Sequence, residues 1–139
     1  MTAFVDTNVL VYLFDADAPQ KKAAAARLLS GQLVDEPLAI STQVLQEFYV
    51  TVTRKLAQPL SLSDARSVLE DLSELELVAV DAGMVFAAAK RNEAMQVSFW
   101  DALIIEAALA ADCRTLYTED LQNGQTFDGL EVKNPFAGL

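Results

Sequence analysis

The amino-acid sequence predicts an α/β protein organised around a mostly parallel β-sheet. Short apolar runs alternate with longer segments of helical periodicity, which is the pattern of repeated β-α-β units. The 139 residues are 53% hydrophobic and 22% charged, as is typical of a folded globular protein. This length suits one domain, and the sequence contains no repeat, low-complexity tract or linker. We therefore expect residues 1–139 to form a single domain.

Helix-starting and helix-ending residues define the elements of the first half of the chain. Pro19 opens an alanine-rich helix that Ser30-Gly31 ends. Pro59 stops the helix after the second strand, and Ser61 with Asp64 has the spacing of a capping box. The predicted elements are a strand over Ala3–Val5, a short helix over Asn8–Phe14, the alanine-rich helix, a strand over Leu38–Ser41, a helix over about Thr42–Ala57 and a helix from Ser61 to about Ser73.

The second half of the chain continues the alternation of strands and helices. Its predicted elements are a strand over Leu77–Val80, helices over Gly83–Ala94 and about Phe99–Ala111, a strand over Arg114–Thr118 and a short last strand over Leu130–Val132. The sheet should therefore contain four to five strands.

Missing residue types exclude several kinds of chemistry. The chain contains no histidine, which excludes Ser-His-Asp and Cys-His catalysis and histidine metal sites. Cys113 is the only cysteine, so no internal disulfide or thiolate zinc cage can form, and we expect this thiol to be a packing residue. No apolar run approaches the ~20 residues that cross a membrane, and no signal peptide is apparent, so we expect a cytoplasmic protein without membrane contact.

The formal net charge of −10 restricts how the protein can meet its partners. Binding of nucleic acid by bulk electrostatics requires a basic surface, so that mode is disfavoured. An enzyme that handles phosphodiesters through bound cations is still allowed. The acidic surface should also attract a basic partner protein.

Four acidic residues are expected to meet at one edge of the sheet: Asp6, Glu47, Asp101 and Asp120. Ligands of open parallel sheets bind beyond the carboxyl ends of the strands. Asp6 directly follows the first predicted strand, and Asp120 lies two residues beyond the fourth. Glu47 lies about a turn and a half into the helix after the second strand, and Asp101 lies in the first turn of the helix that leads into the fourth. All four can therefore reach the same edge.

Each acid also has an ordinary structural interpretation. Asp6 is a favourable N-cap residue, and Asp101 follows Ser98 at the spacing of a capping box. Glu47 belongs to a polar helical stripe, and Asp120 to a polar turn. However, clustered acids repel one another unless a cation lies between them, and oxygen-only ligands select hard ions such as Mg²⁺ or Mn²⁺. Phosphodiester hydrolysis is a natural reaction of such a site.

Four segments of the chain carry specific sequence patterns: VDTNVLVYL at Val5–Leu13, QEFY around Glu47, SFWDALI at Ser98–Ile104 and LYTEDLQNGQ at Leu116–Gln125. These segments resemble those of PIN domains, and in particular of the VapC-type toxins of bacterial toxin–antitoxin systems. The segments occur in the order of the family and span nearly the whole chain. The resemblance implies a three-layer α/β/α sandwich around the predicted sheet.

The resemblance also implies roles for individual residues. Asp6, Glu47, Asp101 and Asp120 match the four metal-binding acids of the family, and Asn8 and Thr118 match supporting positions. Glu119 is the alternative to Asp120 for the fourth acid, and Asp120 is preferred because T-x-D is the pattern there.

The same resemblance implies cofactors and partners. The implied cofactor is Mg²⁺ or Mn²⁺, and the implied activity is endonucleolytic cleavage of tRNA, rRNA or mRNA that inhibits translation. The implied partners are a basic antitoxin and a second copy of the chain in a homodimer.

Two other functions stay open at this stage. A catalytically silent PIN-like module would act only by binding protein, although all four acid positions are filled. An aspartyl-phosphate phosphatase would use Asp6 as a nucleophile, but Asn8 occupies the position where such enzymes carry a second acid.

Two residue pairs near these acids are expected to be structural. Aromatic platforms bind single-stranded nucleic acids, but Phe99-Trp100 is expected to pack against the sheet. Arg54-Lys55 follows Glu47 on the same predicted helix and could meet phosphates, but it is expected to be a solvated helix end.

Overall fold

The structure is a computed structural model that describes residues 1–31 and 36–139. Within these residues the strands are β1 (Ala3–Val5), β2 (Leu38–Ser41), β3 (Glu76–Val78), β4 (Thr115–Tyr117), β5 (Thr126–Phe127) and β6 (Leu130–Lys133). They form one sheet in the order β3-β2-β1-β4-β6-β5, in which only β5 and β6 pair antiparallel. The mostly parallel sheet predicted from the sequence is confirmed.

The helices of the described residues are α1 (Thr7–Val11), α2 (Pro19–Leu29), α3 (Thr42–Arg54), α4 (Leu62–Leu72), α5 (Ala82–Ala94) and α6 (Phe99–Ala110). A 3-10 turn over Tyr12–Phe14 continues α1. Serine hydroxyls accept backbone N–H groups at the starts of three helices: Ser41 caps α3, Ser61 caps α4 and Ser98 caps α6. Predicted helix starts and caps therefore agree closely with the structure.

The helices cover both faces of the sheet. The chain passes from β1 to β2 to β3 in one direction and then returns across β1 to reach β4. Because parallel crossovers are right-handed, the helices before β3 and those after it lie on opposite faces. The packing agrees, since α1 and α4 both contact α3, whereas α5 packs along α6. The result is the three-layer α/β/α sandwich that the resemblance implied.

The core fills both faces of the sheet, between the central strands and helices that include α3 on one side and α6 on the other. All of β1 is buried, and α6 contributes a nearly continuous set of buried small and branched apolar residues. Cys113 is buried at the end of this helical layer, and burial raises the pKa of its thiol to about 12. A thiol with that pKa stays protonated, as expected for a packing residue.

Two details differ from the sequence-based expectation. The helix predicted to reach Ala57 ends at Arg54, because the carbonyl of Val52 accepts the N–H of Leu60 instead of continuing the helix. The sheet of the described residues has six strands where four to five were expected, because strand β5 was not predicted. This strand forms a hairpin with β6 around Asp128-Gly129, both at positive φ, and an Asp-Gly pair between apolar residues is a recognisable hairpin signal.

The helices of the described residues include none that is long and apolar enough to cross a membrane.

Candidate functional site

The candidate site lies where the strand order reverses, between the ends of β1 and β4. Asp6 follows β1 and Thr118 follows β4, and the two strands are paired neighbours. Asp6 is only 4% exposed. Its Oδ1 accepts the N–H of Thr7 at 2.7 Å, and its Oδ2 accepts the hydroxyl of Thr118 at 2.7 Å. The switch point of the sheet therefore holds a buried carboxylate in a fixed orientation.

Asp101 lies in the first turn of α6. Its backbone N–H donates to Ser98 Oγ at 3.1 Å, so Ser98 caps the helix as the spacing predicted. The reciprocal half of the capping box is absent, because no hydrogen bond among the described residues ends on the Asp101 carboxylate. This side chain is thus available for a ligand.

Asp120 is held by residues from both strand ends. Asn8 Nδ2 donates to Asp120 Oδ2 at 2.9 Å, and the Asp120 backbone N–H donates to Thr118 Oγ1 at 3.1 Å. Thr118 therefore contacts two acids, since its hydroxyl oxygen accepts the N–H of Asp120 and its hydroxyl proton is donated to Asp6.

These contacts bring three carboxylates together, and we call Asp6, Asp101 and Asp120 the acid cluster. One oxygen of each lies within 4.8 Å of the others. Two oxygens on opposite sides of a Mg²⁺ ion are separated by about twice the ~2.1 Å coordination bond, so the spacing is close to what one ion needs. An oxygen-only donor set fits Mg²⁺ or Mn²⁺.

The electrostatics of the acid cluster also favour a bound cation. Burial raises the pKa of Asp6 to about 7, against the lowering effect of the Thr118 and Thr7 hydrogen bonds. Burial likewise raises the pKa of Asp101, and the charges of Asp120 and Glu47 raise it further. A divalent ion would offset both the lost hydration and the mutual repulsion.

Glu47 lies beside the acid cluster but is not part of it. It is half-buried on α3, where its Oε1 accepts the hydroxyl of Thr7 at 2.8 Å. Its Oε2 lies 3.4 Å from Gln43 Nε2. Sequence reasoning missed Thr7 and Gln43 as supporting residues, although Gln43 shares the polar stripe of Glu47 at the spacing i, i+4.

Glu119 takes no part in the acid cluster. Its carboxylate accepts Lys21 Nζ at 2.9 Å and the Tyr12 hydroxyl at 2.6 Å. Of the two neighbouring acids, the structure brings Asp120 to Asp6 and Asp101.

A cavity of about 670 Å³ opens beside the acid cluster. Asp120 of the acid cluster lines it, together with Glu47 and Lys55. Trp100 also lines it and is 61% exposed, so the expectation that Phe99-Trp100 packs against the sheet is wrong for Trp100. Phe99 does pack on the core. The two rings face different directions because successive helical residues point about 100° apart.

Solved structures with this fold include several bacterial toxin–antitoxin proteins. A toxin–antitoxin complex from Klebsiella pneumoniae superimposes with a TM-score of 0.71 at 19% identity, covering 96% of this chain and 98% of that one. VapC20 of Mycobacterium tuberculosis, a Sarcin-Ricin loop cleaving toxin, gives 0.66 at 20% identity, covering 85% and 89%. VapBC2 of Rickettsia felis, bound to a DNA fragment from its promoter, gives 0.64 at 22% identity, covering 96% and 98%. None of the curated proteins has significant sequence similarity to this chain.

The fold of this chain is thus shared with these proteins. Residues 3–124 match the PIN domain family. Because this match covers most of the chain, the protein belongs to the PIN domain family.

Proposed function

We propose that this protein is a divalent-metal-dependent endoribonuclease and the toxin of a toxin–antitoxin pair. The observation that carries the proposal is the acid cluster, in which oxygens of Asp6, Asp101 and Asp120 lie within 4.8 Å of one another at the sheet switch point. Membership of the PIN domain family supports it. The substrate would be tRNA, rRNA or mRNA, and its cleavage would inhibit translation.

Mg²⁺ or Mn²⁺ is the proposed cofactor, held by Asp6, Asp101 and Asp120. When bound, such an ion lowers the pKa of water and neutralises charge on phosphate oxygens. No histidine or cysteine competes for a softer metal, because the chain has no histidine and its single thiol is buried elsewhere.

The neighbouring residues orient the acids. Thr118 and the N–H of Thr7 fix the two oxygens of Asp6, while Asn8 fixes one oxygen of Asp120. These donors keep the carboxylates in place before the substrate arrives, which lowers the reorganisation needed for catalysis. Supporting roles for Asn8 and Thr118 are therefore part of the proposal.

Glu47 is assigned to the attacking water or to a water-mediated metal contact. The Thr7 hydroxyl holds Glu47 Oε1 and leaves Oε2 with only a long contact to Gln43. A carboxylate fixed at one oxygen in this way can accept a proton or a water hydrogen bond at the other.

A phosphatase mechanism fits the site less well. Asp6 is only 4% exposed, and Asn8, at the position where such enzymes carry a second acid, donates to Asp120 as an amide. A nucleophilic carboxylate needs an oxygen open to the phosphorus atom.

The proposed protein partners are a basic antitoxin and a second copy of this chain. The net charge of −10 favours a basic partner, and VapBC complexes are among the solved structures that share the fold. A homodimer acting in the cytoplasm completes the proposal.

The test is incubation of the purified protein with total cellular RNA, with and without Mg²⁺ or Mn²⁺, followed by mapping of new RNA ends. We expect discrete new ends only when the ion is present. Absence of cleavage, together with no ion binding in calorimetry, would favour a silent protein-binding module instead.

The chain supplies a matched control for this experiment. Ser61 and Asp64 open α4 as Ser98 and Asp101 open α6, with serine-to-backbone distances of 3.0 and 3.1 Å. Asp101→Asn should lower cleavage by about a hundredfold or more, since it removes a charged ligand. Asp64→Asn removes an equivalent helix-start charge outside the site and should leave cleavage unchanged.

A further inference from the structure

Trp100 is a large aromatic side chain left outside the core beside the candidate site. Trp100 is 61% exposed, whereas the neighbouring Phe99 packs against the core. Trp100 immediately precedes Asp101 and lines the same cavity as Glu47 and Asp120. A ring this exposed contributes little to core burial, so its free surface is open to a ligand.

The position of Trp100 is fixed from two sides. The Phe99 and Trp100 rings meet edge to face, with centroids 5.2 Å apart and an interplanar angle of 77°. The Trp100 carbonyl accepts Gln43 Nε2 at 3.1 Å, and Gln43 is only 4% exposed on α3. The start of α6 is therefore tied to α3, and the ring projects from a constrained backbone.

The cavity is large enough for a nucleotide and is lined by both acidic and basic side chains. Its volume of about 670 Å³ exceeds the ~30 Å³ of a water molecule many times and lies within the range of small-ligand pockets. Lys55 is the one basic side chain among the described residues that line it. An uncharged base can lie near Glu47 and Asp120, while its phosphate faces Lys55 or an ion in the acid cluster.

We propose that Trp100 is a stacking platform for one unpaired nucleobase next to the scissile phosphodiester, with Gln43 as its positioning residue. This inference rests on the proposed nuclease function and extends it by naming a residue that selects the RNA. A base can stack on Trp100 only when it is not enclosed in a duplex. The platform therefore selects unpaired RNA and tolerates different bases, because every base has a π-face.

Intrinsic fluorescence tests the stacking directly, because Trp100 is the only tryptophan of the chain. A short single-stranded RNA of mixed sequence is titrated with Mg²⁺ into the Asp6→Asn variant, which should not cut it. We expect saturable quenching that an abasic sugar-phosphate oligomer of equal length does not produce. Failure of the RNA to bind, equal quenching by the abasic oligomer, or unchanged emission while labelled RNA binds would overturn the proposal.

Cleavage kinetics give a second readout on an RNA whose cut site has been mapped. Trp100→Ala should lower kcat/KM by about five- to a hundredfold, and Trp100→Phe should retain most activity. Replacing the stacked base with an abasic position should remove the difference between wild type and Trp100→Ala. The control is Phe86→Ala, because Phe86 is 69% exposed but lies on α5 and does not line the cavity.

Measurements of metal binding and of oligomeric state distinguish failure of the nuclease proposal from failure of the stacking proposal. Mg²⁺ affinity should be unchanged in Trp100→Ala, since this side chain is not a ligand. If the wild type cuts no RNA, the nuclease proposal fails while quenching still decides the stacking proposal. If Trp100→Ala changes a dimer to a monomer and RNA causes no quenching, the ring belongs to a protein interface and the stacking proposal is wrong.

Discussion

Asn8 and Asp120 are joined by a 2.9 Å hydrogen bond although they lie 112 positions apart in the chain. The donating nitrogen of Asn8 also lies 3.4 Å from Thr118 Oγ1, whose proton goes to Asp6. One network therefore connects the ends of β1 and β4 and two members of the acid cluster. An uncharged amide can donate to Asp120 without adding another charge to this crowded site.

The first prediction concerns that amide. Asn8→Ala should weaken Mn²⁺ binding and RNA cleavage by about ten- to a hundredfold, because Asp120 loses the donor that orients it. Calorimetry and single-turnover cleavage measure the two effects. Asn92→Ala is the control, since Asn92 Nδ2 donates to the carbonyl of Val97 at 2.7 Å away from the acid cluster. Equal losses in both variants would show that Asn8 acts only through stability.

The positions of Asp6, Asp101 and Asp120 could be predicted because strand ends and helix starts are local features. A buried apolar run ends before Asp6, and a serine three residues earlier starts the helix of Asp101. Parallel strands then bring such residues to one edge whatever their separation in sequence. The local capping interpretation was also correct for Ser98, so capping and proximity to the acid cluster occur together in the same helical turn.

The second prediction separates the neighbours Glu119 and Asp120. Lys21 and Tyr12 bind Glu119, whereas Asn8 binds Asp120. Asp120→Asn should therefore weaken Mn²⁺ binding, while Glu119→Gln should retain it and lower the free energy of unfolding by less than about 2 kcal/mol. Calorimetry and chemical unfolding measure these changes. The reverse pattern of Mn²⁺ binding would identify Glu119 as the fourth acid.

The third prediction is a pH dependence of the metal-free protein. The pKa of Asp6 is about 7 in the folded protein and 3.8 as the ordinary value, so folding takes up a proton between these limits. The contribution of Asp6 to stability therefore falls by at most about 4 kcal/mol as pH rises from about 4 to 7. Above pH 7 the contribution stays low. Asp6→Asn removes this dependence and should be stabilised, relative to wild type, more at pH 8 than at pH 5.

Denaturant unfolding with a chelator present measures this difference. Added Mg²⁺ supplies the control, because an ion that needs the ionised carboxylate should stabilise the wild type more at pH 8 than at pH 5. A difference between wild type and Asp6→Asn that does not vary with pH would contradict the raised pKa of Asp6.

The environments of Trp100 and Glu119 could not be predicted from local sequence. Phe99 and Trp100 are both aromatic, and only the packing of α6 decides which ring faces the core. The contact between Lys21 and Glu119 joins residues 98 positions apart through side chains whose partners no spacing rule specifies. The hairpin at Asp128-Gly129 differs from these cases, because its turn signal was present in the sequence.

The fourth prediction concerns Lys55, which sequence reasoning assigned to a solvated helix end. It is exposed at the end of α3, as expected, and it also lines the cavity beside the acid cluster. Lys55→Gln should raise KM for RNA and reduce the slope of log affinity against log salt by about 0.7, the value for one phosphate contact to a single strand. Lys90→Gln is the matched control, since Lys90 is exposed on α5 and does not line the cavity. Salt titrations of RNA binding measure both slopes, and identical slopes for the two variants would mean that Lys55 contacts no phosphate.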